Sequence, residues 1–211
     1  MLVHPPAFGM QLKSIDKSKT KHMPGIKKVF KMKKHLDQYS LGGLDNDAFN
    51  EVAVIVGNST WEVMQAKKTL KCSWEMAPEK STEIESWGGK IKVKTPSGLE
   101  SSDNHYKVFE LMSKKESKVV RKDGDPDEMF KNAAKIIERS YTCPFLAHNT
   151  LEPMNFFANV TDEKALLVGP IQTPEYMEKS VSKRLGMPLE KIDIKMTRMG
   201  GGFLIRLNGH I

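Results

Sequence analysis

The 211-residue chain carries 33 Lys and Arg against 26 Asp and Glu, a formal net charge of +7, with 39% hydrophobic and 28% charged residues. That length holds one large or two small domains, each able to bury a core, and no apolar run approaches the roughly 20 residues that a membrane-spanning helix needs. Two cysteines, Cys72 and Cys143, in no metal-ligand spacing, point away from a disulfide framework, a zinc site and an iron–sulfur cluster, which takes about four thiolates.

The positive charge is concentrated in Lys13–Lys34 and again in Lys114–Lys122. Neither cluster is interleaved with the aromatics on which single-stranded nucleic acids stack, so each reads as a solvated basic face rather than a nucleic-acid site. Met1-Leu2-Val3-His4-Pro5-Pro6 has no basic region followed by an apolar one, and no signal peptide is visible. The compartment, cytoplasmic or periplasmic, stays open.

In chain order, Leu2–Leu12 reads as a strand interrupted by Pro5-Pro6, followed by a polar helix or turn from Ser14 to His22. Ile26–Met32 reads as a second strand, and Gly42-Gly43 as part of a loop. Glu51–Gly57, EVAVIVG, is a β-branched run of the kind that forms a buried strand. Asn58 or Ser59 is placed to cap a helix over Thr60–Leu70, with Val63, Ala66 and Leu70 on one face. Lys71–Glu75 then returns as a strand. Short helices are expected around Thr82–Trp87 and His105–Met112, and Trp61, Trp74 and Trp87 are expected in the core. Asp125-Pro126 starts a helix that ends near Ala134, and Lys135–Thr142 reads as a strand. Phe156–Val160 and Ala165–Val168 form two short strands about a turn at 161–164. Thr173-Pro174-Glu175 opens a helix running to Leu185 and stopping at Gly186. Gln172 therefore precedes a helix N-terminus, where a polar or anionic ligand is welcome.

A strand over Asp193–Thr197 leads into Met199-Gly200-Gly201-Gly202-Phe203. Three consecutive glycines lose much backbone entropy on folding. What they permit is a backbone without side chains, whose N–H groups approach a ligand closely. A tight strand-to-loop turn is the plainer reading of such a run on its own.

Three segments together carry more. They are Tyr141-Thr142-Cys143-Pro144-Phe145-Leu146-Ala147-His148-Asn149-Thr150-Leu151-Glu152-Pro153-Met154-Asn155, then Gly169-Pro170-Ile171-Gln172-Thr173-Pro174, then Met199–Phe203. In this order they resemble the large subunit of molybdenum hydroxylases, the xanthine dehydrogenase and aldehyde oxidase superfamily. The AHxxxEPMN form is most similar to the isoquinoline 1-oxidoreductase β-subunit type. Pro5-Pro6-Ala7-Phe8-Gly9, Leu12–Asp16, Pro24–Val29 and Val52–Gly57 resemble that family's α/β-hammerhead domain.

The resemblance implies an α+β fold, with a hammerhead-like domain over 1–135 and the first segment of a molybdopterin-binding domain over 136–211. It implies a molybdenum–molybdopterin cofactor in dinucleotide form. Gln172 matches the glutamine that hydrogen-bonds an oxygen ligand of the metal, Gly200, Gly201 and Gly202 match backbone along the cofactor, and Phe203 matches an aromatic near the substrate. His148, Glu152 and Asn155 are expected to tie their loop rather than to act on substrate. The implied reaction is hydroxylation of an N-heterocycle or aldehyde with water as oxygen source, with electrons leaving through a 2Fe-2S small subunit.

Large subunits of this family are several times longer, and their general-base glutamate lies far beyond position 211. The chain is therefore expected to be a fragment, inactive without the remainder of the large subunit and prone to self-association through uncovered apolar surface. The alternative is a non-catalytic scaffold or small-ligand module that has lost the cofactor, favoured by Leu204, where the family usually continues with a glycine and often a basic residue.

Overall fold

The computed structural model describes residues 1–33, 51–86, 88–203 and 206. Its α+β content divides into two compact units, Met1–Glu100 with His148–Ile211, and Ser101–Ala147.

In the first unit the apolar run Glu51–Gly57 forms β4, the middle strand of a three-stranded antiparallel sheet. It pairs with β1, Leu2–Val3, through Leu2↔Val54, and with β3, Ile26–Lys33, through Phe30↔Val54. A central strand must bury side chains on both faces, and Val52 to Ile55 are all buried. Helix α1, Thr60–Thr69, follows, and Ser59 caps it by accepting the Glu62 N–H at 3.3 Å while donating to the Glu62 carboxylate at 2.9 Å. Such a cap contributes about 1 kcal/mol. Val63 and Ala66 turn inward against Val29 and Ile55, with Leu70 half-buried beside them. Trp61, expected in the core, is 69% exposed, because it starts the helix while Val63 and Ala66 face the sheet. Trp74 is half-buried on its strand, and Trp87 lies outside the described residues, as do Gly42, Gly43, Leu204 and Ile205.

The expected first strand divides at the prolines into β1 and β2, Met10–Asp16. Strand β2 runs antiparallel to β5, Lys71–Met76. The polar stretch read as a helix or turn is thus strand to Asp16, then a single 3-10 turn at Thr20–His22. The helix expected around Thr82–Trp87 is instead β6, Lys80–Ser86, in a hairpin with β7, Gly89–Thr95. Thr82 and Ile84 alternate with Ser81 and Glu83, which is the period of a strand.

Farther on, β8, Phe157–Val160, and β9, Ala165–Gly169, form the expected hairpin, and β10, Ile192–Met196, pairs parallel to β9 with Ile194 opposite Leu167. Parallel neighbours need a crossover, supplied by the helix Pro174–Leu185, which closes at Gly186 in the left-handed conformation. That crossover helix packs Met177 against Leu167, Ile171 and Ile192, with Val181 and Ile194 at the margin.

The second unit holds two helices, Ser102–Ser113 and Pro126–Asn132, each capped from its own sequence: Ser101 accepts the Asn104 N–H and Asp125 that of Glu128. Taken in chain order they are α2 and α3, and the crossover helix is α4. Neither α2 nor α3 buries a residue. The rings of His105, Phe109 and Phe145 stand about one another at 6.1 to 6.5 Å. The strand expected over Lys135–Thr142 does not form, and this stretch is irregular and exposed. Its β-branched pair Ile136-Ile137 favours extended backbone, but a strand persists only with a partner ladder.

Candidate functional site

Strands β9 and β10 end side by side, Gly169 opposite Met196, and the Thr197 N–H donates to the Gly169 carbonyl at 3.1 Å. Open sheets with parallel strands bind ligands beyond the carboxyl ends of those strands. Two segments leave this edge. After β9 the buried Pro170 and Ile171 lead to Gln172 and then to Thr173, the N-cap of α4. After β10 the chain runs through Arg198 and Met199 into the glycines.

The structure brings these segments together. The Gln172 N–H donates to the Arg206 carbonyl at 3.1 Å. A Cβ on Gly202 would stand 3.0 Å from both the amide carbon and Oε1 of Gln172, so the side-chain amide lies directly against the Gly202 backbone. Gly201 has φ +105, a conformation open to glycine and rarely to other residues. The Phe203 ring comes within 3.3 Å of the place a Gly201 Cβ would occupy. Phe203 is itself left-handed at φ +46 and 66% exposed. A bulky residue with positive φ is held there by its surroundings at a cost of order 1–3 kcal/mol, and such outliers cluster at ligand sites.

The third segment supplies the anchor. Glu152 Oε2 accepts the Gly200 N–H at 2.8 Å, Oε1 accepts from Asn155 Nδ2 at 3.1 Å, and Oε2 lies 3.2 Å from Arg206 Nη2. The Gly200 N–H and then the Asn155 amide hold the Glu152 carboxyl below its ordinary pKa against an opposing effect of burial, with the Arg206 charge adding the least. Arg206 Nη2 also donates to the Glu152 carbonyl at 2.9 Å, and its Nε to the Gly201 carbonyl at 3.1 Å. Thr150 Oγ1 donates to the same Glu152 carbonyl at 2.7 Å. Glu152 and Asn155 thus tie this loop; His148 is exposed and takes no part in these bonds.

Three buried polar atoms in the described part of the chain are left without a partner: Gln172 Oε1, Thr173 Oγ1 and Arg206 Nη1. A buried polar atom without a bond is costly, and here the three belong to adjoining residues at one sheet edge. Between them they offer an acceptor, a hydroxyl and a cationic donor. That is a fitting donor set for an anionic ligand rich in hydrogen-bonding groups, such as a pterin bearing phosphate. The resemblance had assigned Gln172, Gly200, Gly201, Gly202 and Phe203; Thr173 and Arg206 join them here. Arg206 sits between Ile205 and Leu207, and a lone cation in an apolar run is the available signal that it is buried with a counter-charge.

The family model of the molybdopterin cofactor-binding domain matches residues 111–208. The chain is 23% identical over 206 residues to a membrane-bound aldehyde dehydrogenase [pyrroloquinoline-quinone] of Gluconacetobacter polyoxogenes, covering 97% of this chain and 23% of that protein. A probable hypoxanthine oxidase of Escherichia coli K12 is 29% identical over 80 residues, 38% of this chain and 8% of that one. Among solved structures, quinoline 2-oxidoreductase from Pseudomonas putida 86 aligns with a TM-score of 0.53 at 16% identity, over 95% of this chain and 27% of that one. Reconstituted CO dehydrogenase from Oligotropha carboxidovorans aligns with a TM-score of 0.52 at 17% identity, over 95% and 27%. Both are likenesses of fold. The chain spans about a quarter of the length of the aldehyde dehydrogenase it matches.

Proposed function

We propose, for a chain that belongs to the large-subunit family of the molybdenum hydroxylases, that the edge beyond β9 and β10 holds one side of a molybdenum–pterin cofactor in its dinucleotide form. The observation that carries this reading is the Gln172 amide laid against Gly202 with its Oε1 buried and unpartnered. When bound, such a cofactor supplies two-electron redox chemistry, oxidising a substrate carbon with water as the oxygen source. This chain's residues bind and orient. The Gln172 amide could donate to and accept from polar atoms of the group, and the backbone of Gly200, Gly201 and Gly202 would be open to it with no side chain in the way. Thr173 Oγ1 and Arg206 Nη1 would meet further polar atoms of the group, and Phe203 would stand near the substrate.

The substrate class we assign is an N-heterocycle or an aldehyde, in line with the names of the relatives. The whole reaction is proposed for a larger assembly, since this chain covers 23% of one relative and 27% of a structural neighbour. A 2Fe-2S subunit is the proposed electron exit, and the 211 residues alone are expected to be inactive with a dye acceptor.

The test is elemental analysis for molybdenum with pterin fluorescence and nucleotide release, on the full chain made in a host that synthesises the cofactor. Metal and pterin in near-equal amounts are expected, and Gln172→Ala is expected to lower their retention about 10–100-fold, as for other residues that orient a metal's own ligands. Pyrroloquinoline quinone, the cofactor in the name of the aldehyde dehydrogenase relative, is the competing occupant and brings no molybdenum. A chain that carries neither group would favour the non-catalytic scaffold.

A further inference from the structure

We propose that Glu152 is the positioning residue of the glycine run, holding Gly200 and Gly201 in the conformation they present beside Gln172. The inference rests on the cofactor reading only for what the run holds; the hold itself stands on the bonds.

Glu152 and Gly200 are bound twice, since the Gly200 N–H donates to Glu152 Oε2 at 2.8 Å and the Glu152 N–H to the Gly200 carbonyl at 3.4 Å. The approach is close enough that a Cβ on Gly200 would fall 2.6 Å from the Glu152 Cβ. The same Oε2 faces Arg206 Nη2 at 3.2 Å, and Arg206 Nε reaches the Gly201 carbonyl at 3.1 Å. Glu152, Gly200, Gly201 and Arg206 thereby close a ring through four residues.

Arg206 is wholly buried with Nη1 unpartnered, and Glu152 is the carboxylate that faces it among the described residues. A buried cation deprived of its counter-charge forces its surroundings to rearrange. The residue placed to rearrange with it is Gly201, whose carbonyl Arg206 holds. Removing the Glu152 carboxylate therefore releases the Gly200 N–H directly and loosens the Arg206 hold on the Gly201 carbonyl, leaving only the backbone Glu152 N–H bond to the Gly200 carbonyl. A residue that merely stiffened the 148–155 loop would leave the Gly200 and Gly201 backbone unchanged.

The experiment compares wild type, Glu152→Ala and Glu152→Gln in the full chain, by amide hydrogen exchange on cofactor-free protein and by molybdenum content on protein from the cofactor-making host. Exchange at the β9–β10 ladder serves as the control for folding. Glu152→Ala is expected to speed exchange of the Gly200 amide at least about 10-fold with the ladder unchanged, and to lower cofactor retention about 10–100-fold. Glu152→Gln keeps an oxygen for the Gly200 N–H but no charge for Arg206, so an intermediate effect is expected, and this variant carries the test if the alanine variant does not fold. Unchanged Gly200 exchange and unchanged retention in both variants would overturn the positioning role while leaving the cofactor reading intact. Faster exchange in a chain whose wild type holds no cofactor would uphold the positioning role and sink the cofactor reading.

Discussion

The β9–α4–β10 region and the Ser101–Ala147 unit use sequence in opposite ways. In the first, Ala165, Leu167, Ile171, Met177 and Ile192 are buried against one another, and the helix is held by the strands it connects. In the second, α2 has a good cap and a Glu110–Lys114 ion pair at 2.8 Å, yet Val108, Phe109, Leu111 and Met112 remain exposed. Local signals suffice to form a helix but not to bury it. One region is a packed scaffold; the other displays apolar side chains on helices that supply no core of their own.

Substitutions should separate the two sharply. Leu167→Ala removes a buried side chain between β10 and α4 and is expected to cost about 2–5 kcal/mol, read by urea unfolding. A loss below about 1 kcal/mol would show that the region is not a packed core. A smaller effect is expected at the site that this core supports. The Glu152 carboxyl titrates below its ordinary value in the folded chain. Its contribution to stability is therefore present above the ordinary carboxylate range and is lost as pH falls through the depressed folded value. Melting temperatures from pH 7 to pH 3 should show wild type falling toward Glu152→Gln as the acid limit is approached; parallel curves would remove the effect. Least of all is expected from Phe109→Ala on α2, within about 0.5 kcal/mol by the same urea measurement. A large loss there would mean that α2 is packed in solution.

The same contrast explains what the sequence disclosed. The Val52–Ile55 run, the Ser59 cap, and the Thr173-Pro174 start and Gly186 stop of α4 are local signals, and each element formed where they stood. Lys135–Thr142 and Trp61 were misread because strand pairing and the direction a helix turns depend on distant partners. Lys80–Ser86 failed for another reason, since a seven-residue polar strand shows its period of two only weakly. At the site, resemblance to a family singled out Gln172 and the glycines as candidates, and the structure shows only that Gln172 lies against Gly202. The Arg206–Glu152 pair was not legible, because 54 residues separate its members and no pattern in either segment names the other.

The Gln172 N–H is bonded to the Arg206 carbonyl, and its neighbours Pro170 and Ile171 are buried. The place of position 172 is thus set by its backbone and its neighbours, not by its amide. It behaves as a socket, into which different side chains can be fitted while the surrounding frame stays put. A shorter side chain there is expected to change what lies against Gly202 while the Gln172 N–H bond to the Arg206 carbonyl stays in place.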